Sequence, residues 1–108
     1  MIISTEIRED YGFMQVKEHD DHIYIEHLVI YDSAYRRKGL GTNIYKMFIS
    51  HLNPDSFRSK NIYLDVFEYN RGGISFWESL GFKPTGEICD QGYLEYVKVA
   101  FEKENNNG

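Results

Sequence analysis

Cysteine, proline and long apolar stretches are scarce in this chain of 108 residues, which contains one cysteine, Cys89, and two prolines. A single cysteine excludes an intrachain disulfide framework and a cysteine-based zinc site, so a reducing, cytoplasmic compartment is expected. No apolar run approaches the roughly 20 residues of a membrane span, and no basic segment followed by an apolar one resembles a secretory signal. We therefore expect neither a membrane span nor secretion.

Basic residues are in the minority. The chain has 12 Lys and Arg against 17 Asp and Glu, which gives a formal net charge of −5. A general nucleic-acid-binding protein needs a basic face that displaces counterions from the phosphates, and this charge balance disfavours that class. The dense basic cluster of the chain is Arg36-Arg37-Lys38.

The remaining composition is that of a globular protein, with 42% hydrophobic and 16% aromatic residues. A chain of this size buries roughly two thirds of the surface of its unfolded state, which is enough for one core. We predict one domain over residues 1–101. Residues 102–108 are polar and predict a disordered tail.

The hydrophobic pattern predicts three strands followed by a helix and a fourth strand. Strands are indicated over residues 2–8, 13–17 and 22–31, and the alternation breaks near Glu26 to Leu28, which indicates a bulge. Residues 39–52 have the apolar spacing of an amphipathic helix that ends before Pro54. Residues 61–68 are apolar on both faces, which predicts a central strand covered on both sides.

The rest of the chain predicts a second helix and a hairpin. Asn70 suits the N-cap of this helix and Gly81 suits the position just beyond its end. Residues 82–88 and 92–101 predict the hairpin. The order β-β-β-α-β-α-β-β is an α/β (α+β) fold with a mixed, mostly antiparallel sheet. Its third and fourth strands should be parallel, because a helix connects them.

A glycine-containing segment joins the third strand to the first helix. Gly39 and Gly41 permit a tight turn and remove Cβ atoms that would keep a phosphate away. The free amides and the dipole of the first helical turn then favour an anion. The segment lacks the Gly-Lys-Ser/Thr of a P-loop, so nucleotide hydrolysis is not implied. The alternative is an ordinary loop-to-helix turn with solvated basic residues.

Two blocks resemble the motifs of the GNAT (Gcn5-related) N-acetyltransferases. Arg36-x-x-Gly39-x-Gly41 is similar to the Gln/Arg-x-x-Gly-x-Gly/Ala of motif A, which follows an apolar strand. The segment NRGGISFWESLGF, which begins at Asn70, is similar to motif B, an asparagine followed by Phe-Tyr-x-x-x-Gly-Phe. The resemblance covers about residues 12 to 100 and lacks the helical pair that commonly precedes the second strand in this family.

The resemblance implies that the chain binds acetyl-CoA. The end of the third strand would pair with the pantetheine arm, and a backbone N–H near Leu28 or Val29 would polarise the acetyl carbonyl. Asn70 would lie near the pantetheine, and its other interpretation is a plain N-cap. The residues implied to contact the cofactor are Leu28, Val29, Ile30, Tyr31, Arg36, Arg37, Lys38, Gly39, Leu40, Gly41, Thr42, Asn70 and Trp77.

The catalytic groups are less well defined. Trp77 stands where many family members have a tyrosine that protonates the departing thiolate, and an indole N–H is far too weak an acid for that role. We therefore predict Trp77 as a pocket residue. The candidate bases for the amine are Glu26 first and His27 second, and their neighbouring positions on a strand predict side chains on opposite faces. Cys89 is predicted to lie away from both motifs, which disfavours a covalent cysteine intermediate.

These features predict an acetyl-CoA-dependent N-acetyltransferase that transfers the acetyl group directly to a primary amine. The acceptor is a protein lysine, a peptide N-terminus or a small polyamine-like molecule. The alternative is a non-catalytic CoA-binding module of the same fold with a regulatory or inhibitory role. The polar segment from His19 to His22 is interpreted as a turn, so no metal site is predicted. A homodimer through the C-terminal strands is a further expectation.

Overall fold

Six strands form one mixed sheet in this computed structural model, which describes residues 1–31 and 39–100. The strands are β1 (Ile3–Glu9), β2 (Gly12–Glu18), β3 (His22–Ile30), β4 (Asn61–Phe67), β5 (Lys83–Cys89) and β6 (Tyr93–Lys98). The helices of the described ranges are α1 (Leu40–His51), α2 (Pro54–Ser59) and α3 (Arg71–Ser79), and a 3-10 turn spans Asp90–Gly92. None of these helices is long and apolar enough to cross a bilayer. The predicted polar tail lies outside the described residues.

The strand order is β1-β2-β3-β4-β6-β5, and the connection through α1 makes β3 and β4 parallel as predicted. All other neighbouring strands are antiparallel. The mixed α/β fold expected from the sequence is therefore confirmed. β1 joins β2 through the tight turn at Asp10 and Tyr11, so no helical pair separates these two strands.

One face of the sheet packs against α1 and α3. Ile44 and Phe48 of α1 and Trp77 of α3 are buried against alternate residues of the central strands. This follows from the two periodicities, because every second strand residue meets one stripe of each helix. The core cluster consists of Met14, Val16, Ile23, Ile25, Ile44, Tyr45, Phe48, Ile62, Leu64, Val66, Trp77, Phe82 and Tyr96.

The opposite face of the sheet is open in the described part of the chain. On β4, Tyr63 and Asp65 are only partly buried and Phe67 is exposed, whereas Ile62 and Leu64 on the other face are buried. The prediction that this strand is covered on both sides is therefore wrong. Tyrosine and phenylalanine occupy the open face, and their apolar character resembles that of core residues in the sequence.

A short helix, α2, was not predicted. Pro54 occupies its first turn, and the side chain of Asn53 accepts a hydrogen bond of 2.9 Å from the backbone N–H of Asp55. The Asn-Pro pair therefore begins a helix as well as ending α1, because proline lacks only an N–H that the first turn leaves free. Six residues are too few to show a helical period in the sequence.

β3 contains the predicted bulge. Gln15 pairs with His27 and Val16 pairs with Ile25, so Glu26 is the additional residue of β3. Since directly paired residues project to the same face, His27 lies on the face of Gln15, which is opposite to the face of buried Val16. The extra residue thus changes which side chains reach the open face.

Candidate active site

β3 and β4 pair only at their beginnings and then separate. His22 to Tyr24 face Asn61 to Tyr63, and no pairing continues beyond these residues. The gap opens into two adjoining cavities of about 650 Å³ each. Both cavities are lined by Leu28, Val29, Asn70 and Trp77, so they meet at the end of β3 and the start of α3.

The first cavity, here called the helix-end cavity, lies where α1 and α3 begin. Its lining residues are Leu28, Val29, Ile30, Gly39, Gly41, Thr42, Asn70, Gly72, Gly73, Phe76 and Trp77. The second, here called the strand-gap cavity, lies between β3 and β4. It is lined by Tyr24, Ile25, Glu26, His27, Leu28, Val29, Leu64, Asp65, Val66, Phe67, Asn70, Trp77, Cys89, Asp90 and Tyr93.

The beginning of α1 fits an anionic ligand. Gly39 precedes the helix with φ of 74°, a left-handed conformation that glycine adopts without strain, and none of the described side chains caps the first turn. No acidic residue stands in that turn, so its free amides and the helix dipole leave a positive end. These features fit the pyrophosphate of CoA. The basic residues Arg36, Arg37 and Lys38 lie outside the described residues.

Asn70 caps α3 as predicted and lines both cavities. Its side-chain oxygen accepts a hydrogen bond of 3.0 Å from the backbone N–H of Gly73. Gly81, with φ of 96°, lies just beyond the C-cap Leu80. The cap fixes the direction in which α3 leaves the strand gap. The capping interpretation is therefore confirmed, and the amide also stands at the junction of the cavities.

The residues predicted to contact the cofactor divide into three groups. Eight of them line the helix-end cavity: Leu28, Val29, Ile30, Gly39, Gly41, Thr42, Asn70 and Trp77. Tyr31 and Leu40 line neither cavity. The backbone N–H of Tyr31 donates to the carbonyl of Tyr11, and its hydroxyl accepts a hydrogen bond from Arg8. The third group is the basic triplet outside the described ranges.

Trp77 lines both cavities and also belongs to the hydrophobic core. Only 8% of it is exposed, and its ring contacts those of Tyr45, Phe76 and Phe82 at 4.9 to 6.3 Å between centroids. Edge-to-face contacts of this kind hold an aromatic ring in place. This environment agrees with the predicted pocket role.

Glu26 and His27 both line the strand-gap cavity. The carboxylate of Glu26 is 3.6 Å from the ammonium of Lys17, which shares the face of Gln15. Both candidate bases therefore lie on the open face, and the prediction that they face opposite sides of the sheet is wrong. The bulge at Glu26 explains the difference, because it places two residues of β3 opposite one residue of β2.

Sequence reasoning missed a polar cluster in the strand-gap cavity. Asp65 of β4 accepts a hydrogen bond of 2.6 Å from the hydroxyl of Tyr24 and one of 3.2 Å from the thiol of Cys89. Burial, together with the hydrogen bond to Asp65, raises the pKa of Tyr24 well above its usual range. The sequence does contain a signal for this cluster. Asp65 is the one carboxylate in a largely apolar strand, and a half-buried carboxylate needs hydrogen-bond partners.

Cys89 therefore lines the same cavity as Asn70 and Trp77, which corrects the prediction that it lies away from both motifs. Its hydrogen bond to Asp65 raises the pKa of the thiol, and burial adds to this effect. A thiol is a far weaker nucleophile than a thiolate, so the environment disfavours a covalent role. One possible metal-ligand atom from each of three residues, Asp65, Cys89 and Glu95, lies within 4.8 Å of the other two.

The sequence profile described as the acetyltransferase (GNAT) family matches residues 7–82. Spermine/spermidine N(1)-acetyltransferase of Bacillus subtilis (strain 168) is 37% identical over 67 residues, which are 62% of this chain and 43% of that protein. The chain therefore spans less than half the length of this curated relative.

Solved structures share the fold at low sequence identity. PaiA N-acetyltransferase from Thermoplasma acidophilum, solved in complex with coenzyme A, superposes with a TM-score of 0.70 at 22% identity, over 82% of this chain and 52% of that one. The anti-CRISPR protein AcrVA5 gives a TM-score of 0.63 at 16% identity, over 85% of this chain and 96% of that one. With the family profile matched across both glycine-containing blocks, the chain belongs to the GNAT acetyltransferase family.

Proposed function

We propose that this chain transfers an acetyl group from acetyl-CoA directly to a primary amine. The observation that carries the proposal is the meeting of the two cavities at Leu28, Val29, Asn70 and Trp77. A donor bound in the helix-end cavity and an amine in the strand-gap cavity would reach each other there. Holding two reactants in one gap removes most of the entropic cost of their encounter.

The donor would be held mainly by backbone. Gly39, Gly41 and Thr42 would receive the pyrophosphate, with Arg36, Arg37 and Lys38 as neighbouring cations, and the end of β3 would receive the pantetheine. Among the described strands, β3 has no partner on its β4 side after Tyr24, so in our proposal its backbone there pairs with that arm. When bound, acetyl-CoA supplies the activated thioester. An N–H of Leu28 or Val29 would stabilise the negative charge that develops on its carbonyl oxygen.

The amine must lose a proton before it attacks. We assign Glu26 as the first candidate base and His27 as the second, because both line the strand-gap cavity. The first proton passes from the ammonium to this base, the nitrogen forms the new C–N bond as the C–S bond breaks, and the second proton that the nitrogen loses goes to the departing CoA thiolate, which leaves as the thiol. Glu26 is ion-paired with Lys17, whereas within the described ranges the side chain of His27 makes no hydrogen bond or ion pair. Trp77 shapes the junction and transfers no proton.

A cationic acceptor agrees with the charge of the site. The described lining of the strand-gap cavity contains Glu26, Asp65 and Asp90 and no lysine or arginine. The Bacillus subtilis relative is named for polyamines, which are cationic amines of this kind. A polyamine is therefore a candidate acceptor alongside a lysine side chain or a peptide N-terminus.

The test is the release of CoA thiol from acetyl-CoA in the presence of amines, with spermidine and a lysine peptide among them. Glu26→Gln and His27→Gln are compared with Glu87→Gln, an exposed strand residue outside both cavities. Loss of the base lowers kcat by roughly a hundredfold or more, and the control keeps the wild-type rate. Tight CoA binding with no thiol release for any amine would support the non-catalytic alternative and overturn the proposal.

We also expect a cytoplasmic protein, because the one cysteine is a free thiol. A homodimer through β5 is a further expectation. β5 is an edge strand of the sheet, and its residues from Lys83 to Ile88 are exposed. Pro84 weakens this edge as a pairing template, so the oligomeric state requires measurement by light scattering.

A further inference from the structure

Three aromatic side chains form an exposed ridge beside the strand-gap cavity. Phe67, Tyr69 and Tyr93 are 39%, 75% and 41% exposed, and the ring of Phe67 lies 5.5 Å from each of the other two. Phe67 and Tyr93 also line the cavity, whereas Tyr69 lies beyond it. The aromatic ridge (Phe67, Tyr69 and Tyr93) therefore extends the acceptor side of the site outward along the surface.

Contiguous exposed aromatic surface is typical of a site that a partner covers. Tyrosine and phenylalanine are enriched in protein interfaces, where their large, rigid rings provide contact area at a low cost in conformational entropy. A small amine bound in the strand-gap cavity would make no contact with Tyr69. An acceptor that uses the whole ridge must reach from the cavity to a point outside it, as a polypeptide does.

Charge indicates which kind of polypeptide fits. The described lining of the adjoining cavity includes three carboxylates, those of Glu26, Asp65 and Asp90, and no lysine or arginine. A further carboxylate, that of Glu68, follows Phe67 in the chain. The net charge of the chain is −5, which attracts cationic partners over longer distances. Aromatic faces also attract ammonium and guanidinium groups. The ridge and cavity are therefore complementary to a basic segment.

The open face provides the room that such a segment needs. β1 joins β2 by a tight turn, so the chain places no helical pair between these strands. The side chains of β4 that point to this face, Tyr63, Asp65 and Phe67, all remain at least partly accessible. A segment that lies along the ridge can therefore reach these side chains.

We propose that the aromatic ridge docks a basic polypeptide segment and that the acetyl acceptor is a lysine side chain within that segment. This inference rests on the proposed acetyl transfer and specifies its acceptor. The lysine enters the strand-gap cavity, and the residues that flank it lie along the ridge. Flanking cations contact the rings and the surrounding carboxylates.

The experiment compares three acceptors: a lysine peptide flanked by arginines, the same peptide flanked by glutamates, and spermidine. Tyr69→Ala is the main variant because Tyr69 lies outside both cavities and is exposed. Its matched control is Ile3→Ala, which removes an exposed apolar side chain from β1 at the far edge of the sheet. Tyr69→Phe tests whether the ring alone suffices.

We expect Tyr69→Ala to raise KM for the arginine-flanked peptide about tenfold, a loss typical of an interfacial aromatic residue, and to leave kcat unchanged. Tyr69→Phe and Ile3→Ala keep the wild-type KM. The KM values for spermidine and acetyl-CoA are the same in all four proteins. An unchanged peptide KM in Tyr69→Ala, or a preference for the glutamate-flanked peptide or for spermidine, overturns the inference.

A binding measurement separates this inference from the proposed transfer. The arginine-flanked peptide is titrated by calorimetry into the wild type and Tyr69→Ala, each with CoA present, so that no turnover is needed. Binding that Tyr69→Ala weakens supports docking on the ridge even where no acetyl transfer occurs, and in that case the transfer proposal fails. Turnover of the peptide with equal binding by both proteins overturns the docking and leaves the transfer standing.

Discussion

A Cβ atom on Gly41 would lie 3.2 Å from the ring of Phe76, so the first turn of α1 and the middle of α3 are in close contact. Gly41 is also buried and lines the helix-end cavity. Its missing side chain leaves room for Phe76 and, in the proposed donor site, for the phosphates of CoA. Substitution of Gly41 would disturb packing and binding together, and a cleaner test of the cavity must use another position.

Gly72 offers that position. A Cβ atom there would meet nothing within 4 Å, and the residue lines the helix-end cavity in the first turn of α3, where an acidic residue is favourable for the helix. We expect Gly72→Asp to fold normally and to weaken CoA binding by about tenfold or more, because the carboxylate repels the phosphates. The measurement is calorimetric titration with CoA.

The matched control for this prediction is Gly72→Asn, which has nearly the same shape without the charge. It should lose much less affinity than Gly72→Asp. Equal CoA affinity in folded wild type and Gly72→Asp would place the phosphates outside the helix-end cavity.

Trp77 tests whether the indole has a chemical role. Trp77→Phe removes part of a ring that is 8% exposed and packed in the core, so a loss of stability of about 1–3 kcal/mol is expected in urea unfolding. Thiol release should persist at most of the wild-type rate, because no proton donor is lost. Trp77→Tyr should match or exceed the wild type if its phenol reaches the departing thiolate.

A contradictory result would be a Trp77→Phe protein that binds acetyl-CoA normally yet loses activity by about a hundredfold. Such a loss corresponds to nearly 3 kcal/mol of transition-state stabilisation. It would mean that the indole N–H makes a contact in the transition state.

Local patterns in the sequence predicted the parts of the site that depend on local backbone chemistry. The Asn70 cap, the tight turn at Gly39 and the bulge near Glu26 to Leu28 were all expected from short stretches of sequence, and the structure contains each of them. The helix α2 was missed because its Asn53-Pro54 start is equally a helix stop. α2 was therefore missed because it is short, and not because its capping chemistry differs from that of the features that were predicted.

The cluster around Asp65 depends on neighbours that are distant in the chain. Tyr24, Asp65 and Cys89 come from three strands, and their meeting follows from the strand order rather than from any spacing. The faces of Glu26 and His27 were also mispredicted, although the bulge was expected. On one side of a bulge, the alternation of side chains between the two faces of the strand is reversed. The pairing of β3 with β2 determines which residue of β3 is the extra one.

The ion pair between Glu18 and Lys60 predicts a pH-dependent contribution to stability. The ammonium of Lys60 lies 2.7 Å from the carboxylate of Glu18, which also accepts a hydrogen bond from Ser56, and both charged side chains are largely buried. Burial raises the pKa of Glu18, but the hydrogen bonds from Lys60 and Ser56 outweigh it, so the pKa lies below its usual 4.5. A lowered pKa stabilises the folded state above pH 4.5, and this stabilisation is lost as the pH falls through the folded-state pKa.

Lys60→Met should therefore lower the free energy of unfolding by about 2 kcal/mol at neutral pH, since the carboxylate loses its charged partner. In urea unfolding the difference from the wild type should shrink as the pH falls below the usual pKa of Glu18. Lys46→Met, on the exposed face of α1, is the control and should show no such trend. A difference that stays constant with pH would assign the loss to packing rather than to the ion pair.

The hydrogen bond between Cys89 and Asp65 predicts a thiol that takes no part in acetyl transfer. The Sγ atom lies 3.2 Å from Oδ1 of Asp65, and this hydrogen bond, with burial and the carboxylate charges nearby, raises the pKa of Cys89. Cys89→Ser should therefore keep the wild-type kcat, and mass spectrometry should find no acetyl group on the wild-type enzyme after mixing with acetyl-CoA. In the Asp65→Asn variant, iodoacetamide near pH 8 should alkylate Cys89 faster than in the wild type. Loss of the carboxylate lowers the pKa of the thiol and so increases the thiolate fraction. The control Glu87→Gln should alkylate at the wild-type rate, whereas rapid acetylation of Cys89 in the wild type would require a covalent intermediate.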